Sequence, residues 1–222
     1  MKRPETSGRV LLSVIFILLF PLLAGASPEE GDVGIATLAV MPFANAERAL
    51  DNTMSVRDMV DCKIFGFCVW KKEEGGARTI TEIYQLHLQK SMAEKILPRG
   101  EVDGVFGATP PLPHETLRTA ARRLGRQARA SHVLTGTVWR YRERVGGPMT
   151  VTAPASVIFT AILVRTGDGA IVWSEHFDKT QASLAENLLD APLFFMKGMK
   201  WLSAEELADF GVEKTLRTFP GR

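Results

Sequence analysis

The only thiols in the chain are Cys62 and Cys68, which bracket Lys63-Ile64-Phe65-Gly66-Phe67. In an exported protein two such cysteines most simply pair as a disulfide. Closing so small a ring stabilises a loop by roughly 2 kcal/mol on the chain-entropy model, enough to fix a local shape and not a fold. A redox dithiol favours a two-residue spacing and a structural zinc takes four ligands, so both alternatives fit this spacing less well. The apolar side chains around the cysteines, Ile64, Phe65, Phe67 and Trp70, form a partner-binding patch if exposed and the small core of their own loop if buried. The buried reading is the simpler.

The four histidines, His87, His114, His132 and His176, fall singly on different segments. No Gly-x-Ser-x-Gly, His-Glu-x-x-His or phosphate-cradling glycine loop accompanies them. Glu175, His176 and Asp178 are close in sequence, but alternation along a strand sends Glu175 and His176 to opposite faces. A periplasmic enzyme acting on an envelope glycan or peptide is therefore the alternative reading, and no catalytic residue, metal ligand or cofactor site is assigned.

A second grouping is basic. Glu115 to Ala130 predicts a helix with Leu117, Ala121, Leu124 and Ala128 on one narrow face, and Arg118, Arg122, Arg126 and Arg129 form the adjoining stripe. Such a stripe is usually solvated surface whose long stems cover apolar neighbours. Its functional reading is a docking face for an anionic partner.

The elements that position these groups centre on Ser131 to Gln181. Val133–Arg142, Ala155–Arg165 and Ala170–Phe177 are rich in β-branched and aromatic residues and read as three strands. Thr166-Gly167-Asp168-Gly169 joins the last two as a hairpin whose central residues favour positive φ. Val157, Phe159, Ala161 and Leu163 share one face of the middle strand and Ile158, Ile162 and Val164 the other, so it is predicted to be covered on both sides. In the third strand Ile171, Trp173 and Phe177 are expected on one face and Ser174 and His176 on the other. A first strand runs from Ile35 to Met41 and ends at Pro42. Residues 44 to 78 show no sustained period and read as a long loop. Thr79 to Ile96 is a helix with Ile80, Ile83, Tyr84, Leu88, Met92 and Ile96 on one stripe, stopped by Pro98 and Gly100. Gly104-Val105-Phe106-Gly107 reads as a short strand. Residues 179 to 190 and 203 to 217 are expected to be helical, the latter capped by Ser203 with Glu205 and Glu206 in its first turn. Pro192-Leu193-Phe194-Phe195-Met196 and Trp201 are expected to wrap over the sheet. The fold class is α/β (α+β): a mixed β-sheet with a C-terminal antiparallel hairpin and helices packed on it.

Lys2, Arg3 and Arg9 precede an apolar run from Val10 to Leu23 that carries Pro21 and ends in Ala24-Gly25-Ala26. That is the order of a secretory signal, cut after Ala26, and the run is short for a membrane-spanning helix. The remaining length suits one domain with a real core. Residues 27–34 read as a flexible lead, 35–178 as an α/β domain, and 179–222 as a C-terminal helical extension packed on it. A net charge of +2 gives no electrostatic case for nucleic acid.

Leu38-Ala39-Val40-Met41-Pro42-Phe43, Ser131-His132-Val133-Leu134-Thr135-Gly136-Thr137-Val138, Asp168-Gly169-Ala170-Ile171-Val172-Trp173-Ser174 and Phe177-Asp178-Lys179-Thr180-Gln181 occur in this order. Over residues 35 to 178 the pattern resembles the group of bacterial envelope proteins that includes the curli-assembly lipoproteins, the penicillin-binding-protein activator lipoproteins and the TolB amino-terminal domain. In lipoproteins the signal ends before an acylated cysteine, whereas Leu23-Ala24-Gly25 is followed here by Ala26, so no acyl anchor is expected. Membrane-crossing strand pairs need about 9–11 residues each, which the 143–154 segment is too short to hold. The 44–78 loop is long enough but does not alternate, so a pore is not expected. The resemblance implies a non-catalytic periplasmic or envelope module with protein partners. Peripheral outer-membrane association and homo-oligomerisation stay open. The candidate partner surfaces are Arg118, Arg122, Arg126 and Arg129, with Phe65, Phe67 and Trp70.

Overall fold

The apolar run of the middle strand dictates a sheet buried on both faces, and the computed structural model has one. It describes residues 33–46, 68–69, 75–112, 115–147, 149–182 and 201–221. The strands are β1 (Leu38–Val40), β2 (Ala44–Ala46), β3 (Cys68–Val69), β4 (His132–Arg142), β5 (Val145–Gly146), β6 (Val151–Ala153), β7 (Ser156–Arg165) and β8 (Ile171–Thr180). The main sheet runs β3-β2-β4-β7-β8, with β1 also on β4. β1 and β2 are parallel to β4, and β7 is antiparallel to both of its neighbours, β4 and β8. The helices are α1 (Gly76–Met92), α2 (Arg99–Ala108), α3 (Leu117–Gln127) and α4 (Ala204–Thr215).

Alternation on β7 works as the sequence requires. Val157, Phe159, Ala161 and Leu163 enter one core with Ile80, Tyr84 and Leu88 of α1 and Leu207, Ala208 and Val212 of α4. Ile162 and Val164 enter a second core with Val102 and Phe106 of α2 and Leu117, Ala121 and Leu124 of α3. The sheet is thus the middle of three layers. Phe43, Tyr84, Phe159 and Phe177 form an aromatic run through the first core, with successive centroids 5.3, 6.0 and 5.4 Å apart.

Four expectations are corrected. The first strand closes before Pro42 as expected, but residues 44–46, read as the start of a long loop, form β2 on the same partner strand. Proline has no N–H for the ladder, and the gap is bridged by side chains instead. Thr135 Oγ1 donates to the Pro42 carbonyl (2.9 Å), and the Phe43 N–H donates to Thr81 Oγ1 of α1 (3.0 Å). Residues 104 to 107 are helical, inside α2. Val102 and Phe106 sit one helical turn apart and bury together, and this 3.6 period outweighs the two glycines. Lys179 and Thr180 continue β8, where a helix was expected to begin. Finally, a bulge between Leu163 and Val164 pairs Val164 with Ile171 and Leu163 with Trp173. Ile171 therefore packs on the α2/α3 core while Trp173 packs on the α1/α4 core, so the two do not share a face.

The β7–β8 connection runs over five residues, Thr166 to Ala170. Only Gly169 within it has positive φ, at 78°, and the Gly169 N–H bonds the Arg165 carbonyl at 2.8 Å. The Thr166 and Gly167 carbonyls of this loop accept from arginines of α3. Residues 47–67, 70–74 and 183–200, which hold most of the 44–78 loop and the expected wrapping segment, lie outside the described residues. Among the described residues no helix is long and apolar enough to cross a membrane.

Candidate functional site

α3 begins where Thr116 Oγ1 accepts the Thr119 N–H (3.2 Å). Leu117, Ala120, Ala121 and Leu124 are fully buried against the sheet, so the polar side chains must point outward or along the flank. The helix holds four arginines and no acid.

Those arginines divide into roles that spacing alone does not separate. Arg122 Nη2 donates to the Gly167 carbonyl (3.2 Å). Arg126 donates from Nε to the Thr166 carbonyl (3.0 Å) and from Nη2 to that of Gly167 (2.6 Å). Two of the expected stripe thus clamp carbonyls of the hairpin loop, the negative ends of its peptide dipoles. Arg118 and Arg122 line a shallow depression of about 120 Å³ with Thr119, Asp168 and Gly169. Arg129 lies past the helix in the left-handed region (φ 54°), exposed, with its carbonyl accepting from Thr37 Oγ1 (3.4 Å). The structure gathers Arg118, Arg122 and Arg126 around one loop and sets Arg129 at the helix end.

The acids touching this surface are already engaged. Asp168 receives Arg165 Nε (3.1 Å) and Nη2 (2.9 Å), then the Ala170 N–H (3.0 Å). The Arg165 guanidinium foremost, and the Ala170 N–H after it, hold the Asp168 carboxyl well below the usual carboxylate range. Glu115 receives Arg123 Nε (2.9 Å) and Nη2 (2.7 Å) and the Leu112 N–H (2.9 Å). Burial pushes its carboxyl up, but the Arg123 and Leu112 hydrogen bonds with the Arg123 charge outweigh that, and the net direction is down. Arg123 and Glu115 were not singled out from the sequence. The signal was an arginine off the stripe with an acid two turns earlier.

A second cluster was also missed. A bulge between Val138 and Arg140 turns both Trp139 and Arg140 toward the face that carries Ile158, Thr160 and Ser156. Trp139 Nε1 donates to Thr160 Oγ1 (3.0 Å), and Thr160 Oγ1 is hydrogen-bonded to His176 Nδ1 (3.0 Å). Arg140 Nη1 donates to Ser156 Oγ (3.2 Å), itself 2.6 Å from Thr180 Oγ1. A hydroxyl against an imidazole is the pairing a nucleophile would use, but Thr160 is 2% exposed and its oxygen already accepts the indole N–H. Partial covering of its ring, on the Nδ1 side that meets Thr160, holds His176 below the usual imidazole range, against the opposing charge of Asp178.

The other described histidines stand apart. His87 Nε2 is 2.7 Å from Asp209 Oδ1 and ties α1 to α4. His132 Nδ1 is 3.0 Å from Ser131 Oγ on the opposite sheet face from Val133. Glu175 accepts from Thr218 Oγ1 (2.8 Å) on the α4 side, so it and His176 do lie on opposite faces. Among the described residues no three of His, Cys, Asp and Glu come together in a metal-holding arrangement. Cys62, Phe65, Phe67, Trp70 and His114 lie outside the described residues. Cys68 is described as backbone, in β3 opposite Ala46.

No protein-family model matches the chain, and no curated protein matches it. Among solved structures it is similar to a PelC dodecamer from Paraburkholderia phytofirmans, with 17% identity, 87% of this chain and 90% of that chain covered, and a TM-score of 0.43. It is also similar to the lipoprotein GNA1162 from Neisseria meningitidis (16%, 73% and 97%, TM-score 0.42) and to the LpoB C-terminal domain from Salmonella enterica (15%, 68% and 87%, TM-score 0.40). These are distant likenesses of chain layout, and at such TM-scores they carry no weight on partner or activity.

Proposed function

We propose that this protein is exported to the bacterial periplasm or envelope and acts there as a non-catalytic interaction or assembly-accessory module. The observation that carries the reading is α3. The helix holds four arginines and no acid, Glu115 is bound to Arg123, and Asp168 is bound to Arg165. Arg122 and Arg126 meet neutral carbonyls there, which leave their charge in place. The surface thus offers an electropositive row fixed on a rigid helix, suited to an anionic face of a partner. The amino-terminal Lys/Arg, apolar and small-residue order supports export.

The test reverses two exposed residues of the stripe, Arg118 and Arg129. In Arg118→Glu/Arg129→Glu the unfolding free energy from urea titration should change by less than about 1 kcal/mol, since exposed charges contribute little. Cross-linked capture of an envelope partner should be lost. If the variant retains every partner, the arginine surface is not the docking face. Turnover of an envelope glycan or peptide that vanishes in His176→Ala would instead establish the enzyme.

A further inference from the structure

β8 is the long open edge of the sheet: among the described residues it pairs only with β7. The Gln181 N–H bonds the Ala155 carbonyl at 3.1 Å. By alternation the backbone groups of Trp173, Glu175, Phe177 and Lys179 therefore face β7, while those of Ser174, His176, Asp178 and Thr180 face away from it. Those four residues are all exposed. Ten residues of strand with an accessible row of donors and acceptors form a template for another strand.

We infer that the occupant is a second copy of this chain, pairing β8 to β8 antiparallel about a twofold axis at Phe177. The charges of the strand select that register. Centred on Phe177, each Glu175 lies opposite Lys179 of the other copy, each His176 opposite Asp178, and each Ser174 opposite Thr180. Centring on Glu175 or Asp178 sets like acids face to face, and centring on His176 stacks two imidazoles with no opposite charges across. Only the Phe177 register lets the outward-facing backbone groups bond while placing opposite charges across one face, Glu175 against Lys179, and a hydrogen-bonding pair, His176 against Asp178, across the other. The covering layer agrees. α4 lies over β7 and β8, with half-buried Phe210 against Phe177 at 6.3 Å. Strands are about 4.8 Å apart, so an axis half a spacing beyond β8 sets the two α4 helices about 10 Å apart, the separation of packed helices. Phe210 then lies beside the axis, where an apolar contact would form.

The inference does not depend on export or on the arginine surface. Sedimentation equilibrium of the purified chain should find a concentration-dependent dimer. Glu175→Lys or Lys179→Glu alone sets like charges opposite each other and should weaken the dimer about tenfold or more. The double exchange Glu175→Lys/Lys179→Glu restores opposite charges and should recover the dimer, which a merely structural role for either residue would not produce. Circular dichroism confirms folding of each variant. A protein monomeric at every concentration overturns the inference, as does a dimer that either single variant leaves intact or that the double exchange fails to rescue.

Discussion

At the residue scale, the chemistry of this chain is decided by neighbours that sequence spacing does not reveal. Arg122 and Arg126 look like members of one solvated stripe with Arg118, yet they hold the hairpin loop through the Thr166 and Gly167 carbonyls. Those partners are forty or more positions away, and only the fold brings them together. The histidines behave in the same way. His132 is 4% exposed, and burial first, then the Arg165 charge, lowers its affinity for a proton against the smaller opposing effect of Asp168. His176 is lowered by the partial covering of its ring, against Asp178. Both therefore bind protons more readily in the unfolded chain, whose imidazoles titrate near about 6.5. Their neutral forms contribute stability that is fully present above that pH and is lost as pH falls through the folded values. Urea unfolding should accordingly give a flat stability above about pH 7 and a decline toward pH 5. In His132→Asn/His176→Asn that decline should be shallower. A wild-type profile that rises as pH falls through this range would contradict the placement of both rings.

At the element scale, strands were legible because parity is a strong constraint, and it failed only where parity is broken. β7 buries both predicted faces, but the bulge opposite Leu163 and Val164 moved Ile171 to the other layer. α2 was read as a strand because Gly104 and Gly107 flank two apolar residues, although Val102, Val105 and Phe106 already carried the helical step. α4 was readable from its cap, and the structure adds the reason it is firm. Ser203 Oγ accepts the Glu206 N–H (3.1 Å), Glu206 Oε2 accepts the Ser203 N–H (2.9 Å), and the Glu143 carboxylate accepts the Ala204 N–H at 3.0 Å. Two carboxylates thus meet the positive end of the helix. Ser203→Ala should lower stability by about 1 kcal/mol, whereas the exposed Glu205→Ala should change it by less than about 0.5 kcal/mol. Urea midpoints for the two variants check this, and equal effects would show that the cap is not what fixes α4.

At the scale of the whole molecule, the three layers follow from a central strand apolar on both faces, and that much was written in β7 alone. What the molecule does depends on properties that no single element carries: where it is sent, and whether its cysteines are joined. One measurement reads both. If Lys2, Arg3, Arg9 and the apolar run to Leu23 form a secretory signal, the mature chain begins at Ser27. With Ala26 in place of an acylated cysteine, no lipid mass is added. Export also places Cys62 and Cys68 in an oxidising compartment, so their disulfide removes two hydrogens. Intact mass spectrometry of the protein from fractionated cells, under denaturing and non-reducing conditions, should therefore find the periplasmic species that starts at Ser27. Its mass should be two hydrogens short of the sum of its residues, and reduction should restore them. A full-length species in the membrane pellet would replace the cleaved signal by an anchor. A cleaved species with two titratable thiols would leave export standing and remove the disulfide, so the two proposals fail separately.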